Sequence, residues 1–158
     1  MTVNIKIQTE EFDVADEIDA LSEGAADTGA VASFLGVVRG DGGLKTLTLE
    51  HYPGMAESEI ERHVAEANKR WALLGVTVVH RYGRIEPGEN IVLVVTASSH
   101  RQEAFAAAEF LMDYLKTHAP FWKQVDKADG KSWVDAKAID DTAAERWSVP
   151  RGGHEAAE

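Results

Sequence analysis

The chain has 158 residues, with 27 acidic and 16 basic side chains, a formal net charge of -11 and no cysteine. This balance argues against general nucleic-acid binding, because clustered lysines and arginines hold phosphate backbones. The lack of cysteine excludes disulfides, thiolate metal sites and persulfide intermediates within the chain, so any sulfur chemistry needs an outside donor.

The length fits one domain with its own core, which we predict over residues 1–147. Residues 148–158, "SVPRGGHEAAE", are glycine-rich and polar, and they predict a disordered tail. No apolar run approaches the roughly 18 residues of a membrane helix, and the N-terminus has no leader pattern. We therefore expect a cytoplasmic protein.

The first third of the chain alternates between strand and helix patterns. Residues 3–8, "VNIKIQ", predict an edge strand, and Asp13 predicts the N-cap of a helix that ends near Gly24. Residues 29–39, "GAVASFLGVVR", are nearly all apolar and predict a strand buried on both faces. Residues 45–52, "KTLTLEHY", alternate with period two and predict a strand with its leucines on one face.

The middle of the chain predicts a second helix and two more strands. Residues 55–74 carry an apolar stripe at helical spacing, and Gly75 is the predicted C-terminal stop. Residues 76–82 and 90–98 predict strands that are joined through a turn at Pro87-Gly88.

The third helix is predicted from His100 to His118, because Pro120 cannot continue the hydrogen-bond ladder. Residues 121–127 and 131–137 flank "ADG" and predict a hairpin. The order βαββαββαββ, followed by a short helical end, predicts an α+β sandwich with helices packed on mixed or antiparallel sheet. The predicted core-facing residues of the third helix are Phe105, Ala108, Leu111, Met112 and Leu115.

Two lysines flank the predicted proline break in "YLKTHAPFWKQ". If the bend brings Lys116 and Lys123 together, each disfavours the charge of the other, which favours the neutral amine that a base or nucleophile needs. Each lysine also has an ordinary structural explanation. Lys116 can be a helix-end lysine paired with Asp113, and Lys123 can be a strand lysine whose stem lies along Trp122.

A second group of cations has anion-binding character. His100 and Arg101 begin the third helix, where free N–H groups, a cap from Ser98 or Ser99 and a guanidinium favour phosphate or carboxylate. Arg39 ends a predicted buried strand before "GDGG" and is a candidate ligand clamp. An ordinary cap and solvated surface arginines explain the same patterns.

The helix itself limits how these groups combine. About 24 Å of helix separates His100 from Lys116, so they share a site only if the ligand is extended or the fold joins two regions. The histidine spacing predicts no metal site, and no Walker, dinucleotide-binding or nucleophile-elbow motif is present.

Three stretches together carry a family resemblance: "LTLEHYPGM" (47–55), "SSHR" followed by "AF" (98–105) and "FLMDYLKTHAPFWK" (110–123). Their combination resembles the large, catalytic subunit of molybdopterin synthase, and the likeness extends over roughly residues 3–147. The resemblance implies a single-domain hammerhead-type α+β fold and a sulfurtransferase of molybdenum cofactor biosynthesis.

The resemblance also implies partners and a substrate. The subunit would form a homodimer and bind a small ubiquitin-like sulfur carrier at each end, giving a heterotetramer. The carrier's C-terminal Gly-Gly thiocarboxylate would donate sulfur to cyclic pyranopterin monophosphate, and two donations would build the dithiolene of molybdopterin. No metal, other cofactor, nucleic acid or membrane is expected to take part.

Carried over residue by residue, the resemblance makes Lys116 and Lys123 the catalytic and substrate-binding lysines. It makes Arg39, His100 and Arg101 anion-binding residues. Phe34 and Met112 would line the path of the carrier tail, although both suit a core equally well. The departures from the family pattern are Val37, where some relatives carry a lysine, a short loop after Arg39, and Lys137, where an arginine is expected. A lysine cannot reproduce a bidentate contact.

Two other functions fit the same residues. One is a Schiff-base lysine enzyme that acts on a phosphorylated carbonyl compound through Lys116 or Lys123. The other is a non-catalytic dimeric module that binds an extended acidic C-terminal tail. Borohydride trapping distinguishes the first. For the second, Lys116→Ala would weaken partner binding and nothing else, whereas an enzyme would lose turnover even where the partner still binds.

Overall fold

The computed structural model describes residues 1–118, 121–127, 130–134 and 145–148. The Pro120 break, most of the "ADG" turn, Lys137 and the tail beyond Ser148 lie outside the described residues. The strands are β1 (Thr2–Gln8), β2 (Ala30–Val37), β3 (Leu44–His51), β4 (Leu73–Arg81), β5 (Gly83–Ile85), β6 (Asn90–Ser98), β7 (Phe121–Lys127) and β8 (Gly130–Val134). The helices are α1 (Val14–Ser22), α2 (Met55–Arg70) and α3 (Arg101–Thr117).

The strands form two four-stranded sheets. The first has the order β1-β4-β6-β2, in which β1 runs parallel to β4 and the other neighbours are antiparallel. The second has the order β5-β3-β7-β8 and is antiparallel throughout. The predicted α+β class, with mixed and antiparallel sheet and packed helices, is confirmed, and β5 is an element that the sequence reasoning missed.

The core lies mainly on the two faces of the first sheet. Helices α2 and α3 cover one face around Val76, Val78 and Phe110. Helix α1 covers the other face, where Leu21 packs against Val79. A third apolar cluster fills the inner face of the second sheet and joins Leu47, Leu49, Val125, Ile85 and Val38. Burial of these side chains is the main stabilising contribution to the fold.

Local signals set the helix ends. The side chain of Asp13 accepts a hydrogen bond from the Asp16 N–H at 3.0 Å, which confirms the predicted N-cap of α1. Helix α2 ends at Arg70, because Trp71 adopts an extended backbone and β4 begins at Leu73. The predicted end of α2 near residue 74 was therefore wrong.

Gly75, predicted as a helix stop, lies instead inside β4. A Cβ at this position would come within 2.6 Å of the Leu21 side chain, so the glycine allows α1 to approach the sheet closely. Helix propensity and the apolar stripe favoured a longer helix, but strand pairing with β6 determines this segment.

Two predicted burial patterns were wrong. Strand β2 is an edge strand rather than one buried on both faces, and Phe34 is 42% exposed. Phe105 is 66% exposed on α3, whereas Ala104 and Ala108 are buried. Successive residues of a helix lie about 100° apart, so Phe105 falls outside the stripe that contains Ala104. Within the described ranges, no helix is long and apolar enough to cross a membrane.

Candidate active site

Lys116 lies exposed in the last turn of α3. The ordinary explanation paired it with Asp113, but Asp113 Oδ2 accepts hydrogen bonds from Arg146 Nη2 at 2.7 Å and Trp147 Nε1 at 2.6 Å. This carboxylate is therefore bound by the segment of residues 145–148. Lys116 is near enough to His80 for its positive charge to lower the pKa of that ring.

Lys123 is half-buried on β7 and lies opposite Leu49 of β3. Side chains of a strand alternate between its faces, so Lys123 shares a face with Phe121 and Val125, and Trp122 lies on the other. Val125 belongs to the inner apolar cluster, and Trp122 is exposed. The side chain of Lys123 therefore leaves the strand on the inner side of the second sheet. This differs from the ordinary explanation, in which its stem lies along Trp122.

Aromatic rings lie beside the two lysines. Phe121, the first residue of β7, stacks on His80 with ring centroids 4.0 Å apart and an interplanar angle of 14°. The ring of His51 lies 5.9 Å from that of Phe121 and 4.4 Å from that of Tyr82. We name these four side chains, Tyr82, His51, Phe121 and His80, the ring stack.

His80 is a buried polar residue with a fixed orientation. Its Nδ1 donates to the backbone carbonyl of Arg81 at 2.9 Å, which defines the neutral tautomer. Burial is the main cause that lowers the pKa of His80 to about 4; the nearby charges of Lys116 and His51 act in the same direction, and the backbone hydrogen bond opposes them. The ring is therefore uncharged at neutral pH.

Arg39 lies at the same end of the first sheet as His80. The preceding residue, Val38, donates its N–H to Glu89 O at 2.9 Å, directly before β6 begins at Asn90. His80 pairs with Val92 at this end of β6. The Arg39 side chain is 75% exposed and lies 3.8 Å from Asp41, so its guanidinium is accessible to an anion.

His100 and Arg101 lie at the opposite end. Ser98 pairs with Ala30 at the far end of β2, and α3 then runs back for about 24 Å before it reaches Lys116. The fold of one chain therefore does not bring the two regions together. The prediction of a serine cap was wrong, because the N-cap residue is His100, whose side chain makes no capping hydrogen bond. Ser98 Oγ accepts a long hydrogen bond from the His100 N–H at 3.5 Å and donates to Ala72 O, and Ser99 Oγ donates to Asp27 O.

The two residues predicted to line the path of the carrier tail, Phe34 and Met112, have different environments. Phe34 is exposed on β2, whereas Met112 is 8% exposed and belongs to the core cluster under α2 and α3.

A second buried histidine, His63, has its Nδ1 2.7 Å from Glu59 O, and burial is the main cause of its lowered pKa. In the part of the chain that the structure describes, no group of three or more metal-ligating side chains is positioned to hold an ion.

Comparison with known proteins identifies the family. The family model described as MoaE protein matches residues 7–118. A protein of Mesorhizobium japonicum named molybdopterin synthase catalytic subunit is 61% identical over 146 residues, which cover 90% of this chain and 92% of the relative. The chain belongs to the MoaE family. The resemblance inferred from the sequence is thereby confirmed.

Solved structures agree with this assignment. A molybdopterin biosynthesis MoaE protein from Burkholderia ambifaria is 49% identical, has a TM-score of 0.82 and covers 94% of this chain and 99% of its own. A molybdopterin synthase from Staphylococcus aureus is 28% identical, has a TM-score of 0.76 and covers 82% of this chain and 96% of its own. The fold of this MoaE-family chain is therefore the fold of those proteins.

Sequence reasoning did not assign a role to His51, Tyr82 or His80. The histidines do not have metal-ligand spacing, and these three residues are too far apart in sequence to suggest one cluster. One signal was available for His80: it follows Val76 and Val78 at period two, so a polar ring occupies the last helix-facing position of a buried strand.

Proposed function

We propose that this chain is the catalytic subunit of a molybdopterin synthase and transfers sulfur from a thiocarboxylated carrier to cyclic pyranopterin monophosphate. The observation that carries the proposal is the 61% identity, over 90% of the chain, to a protein named as that subunit. The position of Lys116 and Lys123 at the junction of α3 and β7 supports it. A chain without cysteine also needs its sulfur from a donor in trans.

Lys116 acts at the carrier's terminal carbonyl. Its ammonium donates a hydrogen bond to the carbonyl oxygen, which becomes an oxyanion when water attacks the acyl carbon. The carbon–sulfur bond then breaks, the carrier leaves as a carboxylate, and the sulfur stays on the pterin. An exposed side chain on a helix end suits an incoming flexible tail, because the helix fixes the backbone of Lys116 while the side chain and the tail adjust to each other.

Lys123 acts on the pterin side. It moves protons on the side chain of the substrate as sulfur adds and the cyclic phosphate opens. Its half-buried position next to the inner apolar cluster lowers the local dielectric constant, which strengthens its interaction with developing negative charge. The cyclic phosphate opens in only one of the two transfers; in the other, the side-chain oxygen that sulfur replaces leaves as water, and each transfer uses a fresh carrier.

The anion-binding residues complete the site across two copies of the chain. Arg39 lies at the lysine end and clamps an anionic group there. His100 and Arg101 lie about 24 Å away along α3, so they bind the phosphate of a substrate held by the lysines of a second copy. A homodimer with a carrier at each end, working in the cytoplasm, is part of this proposal, as is a tail path past Phe34 and Met112.

The test is single-turnover conversion of cyclic pyranopterin monophosphate to the dithiolene product with a thiocarboxylated carrier. Wild-type protein should convert the substrate, and Lys116→Ala should lose at least about 100-fold in rate while its affinity for the carrier stays within about threefold. Lys69→Ala, an exposed lysine at the end of α2, is the matched control and should convert normally.

Two outcomes would contradict the proposal. No conversion by the wild type with a competent carrier would favour a tail-binding module. Borohydride-dependent covalent trapping of the pterin on Lys116 or Lys123 would favour the Schiff-base enzyme, because sulfur transfer as described needs no imine.

A further inference from the structure

The ring stack joins three elements at the point where the two lysines lie. His80 comes from β4 of the first sheet, Phe121 begins β7 of the second sheet, and His51 ends β3 as the pairing partner of Phe121. The contact of His80 with Phe121 thus crosses from one sheet to the other. A nearly parallel stack at 4.0 Å leaves little freedom for either ring to shift.

The position of Phe121 fixes the position of Lys123. Only Trp122 lies between them in sequence, both side chains lie on one face of β7, and a strand advances about 3.3 Å per residue. Lys116 approaches the same place from the end of α3, where its charge acts on His80. The position of Phe121 at the start of β7 therefore helps to set where Lys123 lies relative to the end of α3.

The hydrogen bond of His80 distinguishes it from an ordinary core residue. The hydrogen bond from Nδ1 to Arg81 O fixes the plane of the His80 ring. Because the Phe121 ring stacks on it, that plane also fixes the position of Phe121. The neutral tautomer also lets the ring lie near the Lys116 cation without repulsion, consistent with the effect of burial on its pKa.

We propose that His80 is a positioning residue for sulfur transfer: its hydrogen-bonded ring holds Phe121, and through Phe121 it keeps Lys123 in register with Lys116. This inference rests on the proposed function for its kinetic consequence. Its structural consequence, a change in the position and reactivity of Lys123 when His80 is replaced, does not depend on that function.

The kinetic test compares four proteins in the single-turnover assay. His80→Ala removes the stack and should lose roughly 10- to 100-fold in the rate of conversion at saturating substrate, because misplacement by about 1 Å costs that much. The carrier affinity and KM should stay within about threefold. His80→Phe restores a stacking ring but not the hydrogen bond to Arg81 O, so it should recover only part of the loss. Val79→Ala, the adjacent residue on the opposite face of β4, should match the wild type.

A second measurement is independent of the proposed function. Trace acetylation with acetic anhydride, followed by mass spectrometry, gives the reactivity of Lys123 and Lys116 relative to exposed Lys69. His80→Ala should change the ratio of Lys123 to Lys69 at least about twofold, His80→Phe should change it less, and Val79→Ala should leave it unchanged. If His80→Ala does not fold, Phe121→Leu removes the stack from its other side and should give the same change.

The outcomes separate the two proposals. If the wild type converts nothing but the lysine reactivity changes as described, the proposed function fails and the positioning role of His80 stands. If the wild type is active and His80→Ala converts within threefold of it, the positioning role is overturned. Equal losses in His80→Ala and Val79→Ala would also overturn it, since they would reflect general destabilisation.

Discussion

Acid should destabilise the protein through His80, and His80→Phe should remove that sensitivity. The ring is buried, and the groups that act on it are the Arg81 carbonyl, the Lys116 cation and His51. Its pKa in the folded state, about 4, is below the ordinary value of 6.5. Between pH 6.5 and pH 4, His80 is therefore protonated in the unfolded chain but neutral in the folded chain. The free energy of unfolding consequently decreases as the pH falls from 6.5 toward 4.

The size of the effect follows from the two pKa values. Linkage gives a loss of about 2 kcal/mol in the free energy of unfolding between pH 7 and pH 5 for one such histidine. His63, whose pKa burial also lowers, acts in the same direction and is present in both proteins. At pH 7, His80→Phe should cost about 1 kcal/mol, because the Arg81 carbonyl loses its donor.

The assay is equilibrium urea unfolding at pH 7, 6 and 5, at one protein concentration because association of copies adds stability by mass action. The stability of His80→Phe relative to wild type should rise by about 2 kcal/mol from pH 7 to pH 5. The free energy of unfolding of Val79→Ala should differ from that of the wild type by the same amount at each pH. Parallel curves for His80→Phe and wild type would refute the assignment of a depressed pKa to this ring.

Three further substitutions test the fold by urea unfolding. Gly29→Ala should destabilise by about 1–3 kcal/mol, because its Cβ would lie 2.1 Å from the backbone oxygen of Ser99; an unchanged midpoint would contradict this close approach. Asp13→Ala should cost about 1 kcal/mol, and Asp13→Asn much less, because the asparagine still caps α1. Arg81→Met should cost about 3 kcal/mol, since Nε and Nη2 both donate to Thr9 O; a neutral result would mean that water replaces them.

Local sequence rules predicted the elements whose signals are local. Asp13 caps α1, Pro87 and Gly88 lie in the turn before β6, and α3 runs almost between the predicted histidines. Long-range pairing determined the rest. Nothing in the sequence of 29–39 indicates that β2 has a neighbour on one side only. An apolar run predicts burial, but it does not say whether the same chain provides it.

The candidate site shows the same limit. Lys116 and Lys123 are close in sequence, so a single motif indicated both. His80 and Phe121 are 41 residues apart, and no periodicity predicts that their rings stack. His51 reaches Phe121 only through the register of β3 with β7, which requires the whole second sheet. Residues that position a site through tertiary contacts are therefore the ones that sequence patterns miss.

The two ends of α3 lead to a last prediction, which concerns subunit complementation. Lys116 and Arg101 of one chain lie at opposite ends of a helix of about 24 Å, so one compact substrate cannot contact both. In a two-fold dimer, each site would combine Lys116 of one copy with Arg101 of the other. Lys116→Ala and Arg101→Ala homodimers should each be inactive or nearly so.

When the two variants are unfolded together in equal amounts and refolded, half of the dimers contain both chains. Each mixed dimer has one site with both wild-type groups and one site with neither. The mixture should therefore recover about a quarter of the wild-type rate, whereas the separately refolded variants should recover none. Lys116→Ala mixed with Lys123→Ala is the matched control: both lysines come from the same chain, so every site lacks one of them. Failure of the first mixture to exceed this control would show that Arg101 serves the lysines of its own chain or no lysine at all.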